Sequence, residues 1–260
     1  MSETKKDQVP SPMPEKLYWL IDGFRLSKAL FAACELGVFD KLRTASAPQS
    51  ADEITKALSS DLDATTRLMD TLAAMELLEK FKQGDQWLYS NSEMATKFLT
   101  KDSPDSYLDM IAFTNKTLYP IFGNLETAVR EGTTQWKRTF GMSTEESFVN
   151  LYNTEEAKSR FLGAMHCHSL YGSYAAAKAI DLNASFIFVG GGLLICERIL
   201  NEDKRGPLPS LICSLLMLVS TGGKERSASE YKHLLEKHGF VDVQAKRVYL
   251  TQDAIFCRKM

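Results

Sequence analysis

Residues 190–208, GGGLLICERILNEDKRGPL, decide the fold class. Three glycines make a turn, LLIC is a short apolar strand, Glu197 closes it, and a charged turn with Gly206 and Pro207 follows. An open α/β sheet presents its functional groups in this way, at the carboxyl edge of apolar strands. Downstream, residues 207–219 and 227–237 carry helical patterns, the second stopped by Gly239, and residues 241–249 and 253–257 read as strands. This is the last third of an α/β domain. Its first two-thirds should lie upstream, yet only one strand-like run, FIFV at 186–189, precedes the glycines. The expected architecture is a mainly α N-terminal half followed by a truncated α/β, Rossmann-like C-terminal part.

Upstream of the turn the chain reads as helical. Residues 15–38 place Leu17, Leu20, Ile21, Phe24, Leu26, Leu30, Phe31 and Cys34 at helical spacing, with Gly37 as the stop. A short helix is expected at 51–58 and a longer one at 61–78. Two strands at 79–89 turn around Gln83-Gly84-Asp85, a hairpin signal. Three helices and a two-stranded wing make a winged helix. Such folds often bind DNA, but the would-be recognition helix offers Arg67 against Asp63, Asp70, Glu76 and Glu79. Phosphate contacts demand more positive charge, and the whole chain carries a net charge of −2. Nucleic acid is therefore excluded as a partner, and the winged helix is read as a protein–protein module. Further helices follow at 91–130, broken near residues 101–104 and at Pro120, then at 144–152 and 155–180. The expected divisions are a disordered lead-in at 1–14, the winged-helix unit at 15–100, linking helices at 101–180 and the truncated α/β part at 181–260.

No apolar run reaches the ~18 residues of a membrane span. The five cysteines are scattered, which suits buried thiols in a reducing, cytoplasmic setting. The four histidines are poorly spaced for a shared ion, so no metal is expected. Two acids stand out. Glu197 ends the apolar strand, and Glu225 sits in TGGKER, a glycine-hinged loop between two helices. Such a pair positions a catalytic base or a polar substrate, or else forms ordinary surface ion pairs with Lys224 and Arg226. The triplet Gly190-Gly191-Gly192 is either a nucleotide cradle or a tight turn. The further glycine and the strand-end acid of a dinucleotide motif do not follow.

Several long stretches resemble the acetylserotonin O-methyltransferase family of small-molecule O-methyltransferases. They are FRLSKALFAACELGVFDKL at 24–42, AVREGTTQWKRTFG at 128–141, LYNTEEAKSRFLGAM at 151–165, the 190–208 stretch itself, and MLVSTGGKERSASEYKHLLEKHGF at 217–240. The resemblance implies a dimerisation domain of N-terminal helices, and a homodimer or a heterodimer with a full-length paralogue. It implies S-adenosylmethionine as cofactor and the hydroxyl of a small aromatic, such as N-acetylserotonin, as methyl acceptor. In that family a histidine is the base. The resemblance makes Glu197 the strand-end glutamate flanking it and Glu225 the loop glutamate orienting it. Tyr152 falls near the methionine part of the cofactor, and Met217 lines the substrate pocket. The family's Asp-Leu-Gly-Gly-Gly-Thr-Gly cofactor loop, its ribose-gripping acid and its His-Asp-Trp segment have no counterpart here. Ser169 stands where an aromatic is usual, and Leu216 where a pocket asparagine is. The shortfall amounts to about three strand–helix units of ~30 residues each. A chain so shortened is expected to bind no S-adenosylmethionine and to be inactive.

Overall fold

The structure is a computed structural model and describes residues 13–179, 192–249 and 252–259. The lead-in up to residue 12, the expected strand at 186–189, and Gly190 and Gly191 lie outside the described residues. The chain forms two compact units, Met1–Thr96 and Lys97–Met260.

The first unit is the expected winged helix. Helix α1 (Glu15–Leu36) ends where Gly37 takes φ 75°, and its N–H caps the carbonyls of Ala33 and Cys34. Helix α2 (Val38–Thr44) leads to a two-residue strand β1 (Gln49–Ser50) that the sequence did not betray. Ser50 and Glu53 cap each other at the start of α3 (Ala51–Leu58), and Asp61 accepts from the Ala64 N–H at the start of α4 (Leu62–Ala74). The wing is β2 (Leu78–Gln83) and β3 (Gln86–Asn91), antiparallel and closed at Gly84-Asp85, with β1 added on the far side of β3. Helix α4 stops four residues short of the expected 78. Glu76 adopts φ 59°, the Leu77 N–H returns to the Leu72 carbonyl, and Leu77 and Leu78 turn inward as β2 begins. A left-handed turn is usually glycine's work, so nothing in the sequence marked it. Helix α5 (Glu93–Phe98) closes this part of the chain.

In the second unit, α6 (Leu108–Phe113) runs through a π-helical turn, Thr114–Leu118, into α7 (Tyr119–Phe122). The Tyr119 N–H reaches five residues back to the Thr114 carbonyl. The irregularity answers Pro120, whose ring would strike the carbonyl four residues earlier in an α-helix. Helices α8 (Leu125–Glu131), α9 (Trp136–Phe140), α10 (Thr144–Asn150) and the long α11 (Glu155–Ala179) follow. Then come β4 (Gly192–Glu197), β5 (Ile199–Leu200), α12 (Leu208–Ser220), β6 (Arg226–Ser227), α13 (Ala228–Lys237), β7 (Phe240–Lys246) and β8 (Asp253–Lys259). Strand β7 ends three residues before the expected 249, and Val248 and Tyr249 belong to the loop into β8.

Among the described residues the main sheet has the order β4-β8-β7 and is antiparallel throughout, while β5 and β6 form a separate two-residue parallel bridge. Two clusters hold the unit together. Ile199, Tyr231, Leu235, Ile255 and Cys257 bury α13 on the sheet, joined by Leu193 and Ile195 of β4. Ile121, Ala128, Trp136 and Val219 gather α7, α8, α9 and α12, with Leu216 packed against them. The Trp136 indole N–H donates to the Ser220 carbonyl at 2.6 Å, and the Gln135 N–H to that of Val219 at 2.8 Å, so α9 caps the end of α12.

Candidate functional site

Strand alternation puts Leu193, Ile195 and Glu197 on the face that covers α13, so the carboxylate ends a ridge of core residues. Glu197 lies opposite Asp253 in the β4–β8 register. Glu225 arrives from the other side. After α12 the chain turns at Gly222, with φ 71°, and the Gly223 N–H donates to Thr221 Oγ1 at 3.2 Å. The Glu225 N–H then donates to Ser214 Oγ of α12 at 3.2 Å, which draws the residue inward until it is 7% exposed. The Glu225 charge acts on the Glu197 carboxyl, so the two acids of the sequence reading share one neighbourhood.

The Glu197 carboxyl reaches solvent, but surrounding protein raises its pKa, with the Glu225 charge adding to the effect; the Arg198 N–H and Arg226 work against it. Cys213, one turn before Met217 on α12, is pushed up to about 12, first by burial and then by its hydrogen bond to Glu225. Burial, followed by the charges of Glu197 and Glu225, raises Tyr231 to about 12 as well, while Arg226 opposes the rise. At neutral pH the thiol and the phenol are therefore protonated donors around a pair of acids.

Asp253 buttresses this cluster. It is 4% exposed. Its Oδ2 accepts from the Ile199 N–H at 3.0 Å and its Oδ1 from the Val248 N–H at 3.2 Å, with Arg247 Nη1 at 3.5 Å. Arg247 also donates to Asn201 Oδ1 at 2.7 Å. A cleft of about 540 Å³ opens beside this network, lined by Arg198, Ser210, Arg247, Tyr249, Gln252 and Asp253 among others. Neither Glu197 nor Glu225 lines it.

The remaining expected site residues lie apart from the acid cluster to different degrees. Met217 shares a helix face with Cys213 and Ser214 by its i+4 and i+3 spacing, and its Sδ is 3.7 Å from Thr221 Oγ1. Tyr152, 51% exposed, sits between α10 and α11 with its ring edge-on to Phe161, which in turn meets Phe113. No contact joins Tyr152 to the glutamates among the described residues. Leu216 is turned into the Trp136 cluster. Ser169 spends its hydroxyl on the Met165 carbonyl of its own helix at 3.0 Å. Among the described residues no group of three or more histidines, cysteines or acids is arranged to hold a metal ion.

Sequence reasoning missed Cys213, Ser214, Tyr231 and Asp253 as members of the site. Cys213 and Ser214 left a trace, since their i+4 and i+3 spacing to Met217 is readable along α12. The others join through long-range contacts.

Among the described residues no cradle for an adenosyl cofactor is formed. α/β folds hold such groups where parallel strands end at a change of strand order, and the described sheet has three antiparallel strands.

The family model for the O-methyltransferase dimerisation domain matches residues 18–101, and that for the O-methyltransferase domain matches residues 177–241. Acetylserotonin O-methyltransferase of Bos taurus is 29% identical, covering 92% of this chain and 95% of the relative. A probable bifunctional dTTP/UTP pyrophosphatase/methyltransferase protein of Homo sapiens is 31% identical, over 96% of this chain and 54% of the relative. The crystal structure of human N-acetylserotonin methyltransferase in complex with SAM superposes with a TM-score of 0.87 at 27% identity, covering 96% of this chain and 99% of that one. The bovine alignment spans 329 positions, yet it takes in only 92% of a 260-residue chain, so about 90 positions are filled by the relative alone.

Proposed function

The chain belongs to the S-adenosylmethionine-dependent O-methyltransferase family, and on that footing we propose that it is a shortened member which has kept the pairing half and the glutamate pair but does not transfer methyl groups by itself. The inherited chemistry is methylation of a small aromatic hydroxyl. N-acetylserotonin is the first acceptor to test, since the bovine relative is named for it. The observation that carries the proposal is the bovine alignment, in which about 90 positions have no residue in this chain.

Methyl transfer requires the donor carbon held in line with the attacking oxygen and a base within hydrogen-bond reach. The glutamates here are surrounded by a protonated thiol and phenol, and the sequence supplies no cofactor loop. Glu197 and Glu225 are read as remnants of the frame that orients a base, Met217 as part of the acceptor-side wall, and Tyr152 as an aromatic left from the cofactor side. Isothermal titration of the purified chain with S-adenosylmethionine, together with a radiolabelled transfer assay on N-acetylserotonin, tests this. No heat of binding and no product are expected, and micromolar affinity or turnover would overturn the reading.

A second reading, non-catalytic pairing, is favoured by α1. Its first half leaves Leu17, Tyr18, Trp19, Leu20, Ile21 and Phe24 exposed, a stripe of side chains that the chain's own core does not cover. The partner is a second copy or a full-length family member. Leu20→Glu is expected to convert a dimer to a monomer in light scattering. A wild-type chain that is monomeric at tens of micromolar would refute the pairing. No helix among the described residues is long and apolar enough to cross a membrane. The free cysteines, three of them half-buried and two buried, support a reducing compartment, and we place the protein in the cytoplasm.

A further inference from the structure

The two edges of the β4-β8-β7 sheet are built differently. Strand β7 (FVDVQAK) carries devices that discourage pairing. Asp242 takes φ 52°, the register slips between Val241 and Gln244, and Asp242 and Lys246 add charge. Bulges and charges of this kind turn an edge away from further strands. Strand β4 (GLLICE) has none of them. It pairs with β8 in unbroken register from Gly192↔Arg258 to Glu197↔Asp253. It has no proline, lysine or arginine, and its one charge is at the last residue. Alternate residues of an antiparallel edge strand turn their N–H and C=O groups outward, and among the described residues no second strand meets those of β4. Leu194, 39% exposed, stands on the face opposite the core ridge.

We propose that the edge of β4 that meets no strand among the described residues is an interaction surface that takes the β4 strand of a second copy of this chain, extending the sheet to six strands across a two-fold axis. Only an extended backbone satisfies a strand edge. A second copy satisfies both edges at once, because an isologous contact uses the same patch on each partner. Charge favours self-pairing too. An antiparallel register centred on Leu194 sets Leu193 against Ile195 and Gly192 against Cys196 while leaving Glu197 outside the ladder, so no like charges face each other. The chain also carries a dimerisation domain, so a copy of itself is the partner always at hand. The proposal does not rest on α1, and it stands whether or not the chain methylates anything.

The experiment uses the full chain. Light scattering and sedimentation velocity from about one to one hundred micromolar are expected to show an assembly whose mass falls two-fold in Leu194→Lys, while Leu20→Glu removes a different two-fold step. Hydrogen exchange of the wild type supplies a readout that needs no variant. The amides of residues 192–197 are expected to gain protection as concentration rises. A mass unchanged by Leu194→Lys would overturn the proposal. So would protection of residues 192–197 that is independent of concentration, which is the signature of an edge covered by the chain's own residues. Open-ended aggregates with no mass plateau would rule out a closed pair.

Discussion

Replacing Asp253 with alanine should unfold the second unit more readily than any other exchange in the acid cluster. The carboxylate is 4% exposed and accepts two backbone N–H groups, from Ile199 at 3.0 Å and Val248 at 3.2 Å. Hydrogen bonds to a charged group contribute about 1.5–3 kcal/mol each, so losing two costs roughly 3–6 kcal/mol, and water entering the gap brings it nearer about 4. Asparagine keeps one acceptor oxygen, so Asp253→Asn should cost about 2 kcal/mol on the same scale. The assay must report on one unit alone, because a chain of two units need not unfold in one step. Of the three tryptophans, Trp19 and Trp87 lie in the first unit and Trp136 in the second. In a Trp19→Phe, Trp87→Phe background the fluorescence of buried Trp136 follows the second unit only. With a urea slope of about 2 kcal/mol per molar, the midpoint should fall by about 2 M for alanine and about 1 M for asparagine. A fall under about 0.5 M for alanine, on that slope, would refute the claim that Asp253 ties β5 and the β7–β8 loop to the sheet.

Three further outcomes are expected. Gly172 faces Gln252 so closely that an added Cβ would lie 2.1 Å from Oε1 and 2.7 Å from the Gln252 Cβ. Gly172→Ala should therefore cost about 1–3 kcal/mol in urea unfolding, with Gln252→Gly restoring most of it; an additive double variant would contradict the contact. Glu230, which caps Ser227 and pairs with Lys204, has its pKa lowered from 4.5 to about 2. Its contribution is complete above 4.5 and lost as pH falls toward 2. Glu230→Gln should cost about 0.5–1 kcal/mol at neutral pH, at the low end because its side chain is 40% exposed, and nothing near pH 2, as read from denaturation midpoints. Glu197 has the opposite sign, since its pKa is raised above 4.5. Its contribution is complete below 4.5 and lost as pH rises through the folded value. Glu197→Gln should then be the more stable protein at neutral pH, and a wild type at least as stable there would count against the clustering of the two acids.

The parts of the fold that sequence made legible are those with local markers. Gly37 ended α1, Gly84 closed the wing, and Gly239 stopped α13. Where a marker was missing the reading slipped. Glu76 does a glycine's work at the end of α4, and β1 is two residues long, too short to show an alternation. The site follows the same division. Glu197 and Glu225 stood out because a strand end and a glycine hinge are local signals. Asp253, Tyr231 and Ser214 join them through contacts bridging from 11 residues, between Ser214 and Glu225, to 54, between Ile199 and Asp253. A lone sequence holds no record of such pairings. The antiparallel run of the described sheet was also out of reach, since LLIC and AIFC look alike whichever way they pair.

The π turn before Pro120 stores one residue more than a regular helix needs. Ile121, fully enclosed between α8, α9 and α12, lies three residues past it. Excising any one of residues 114–118 would thus close the turn into a regular helix that keeps Ile121 on its face but sets the Pro120 ring against the carbonyl four residues earlier, straining the helix that carries the plug Trp136 and Val219 close upon. A residue added or removed should accordingly disturb the loop at residues 101–106 less than this bend, although both look like helix interruptions on paper.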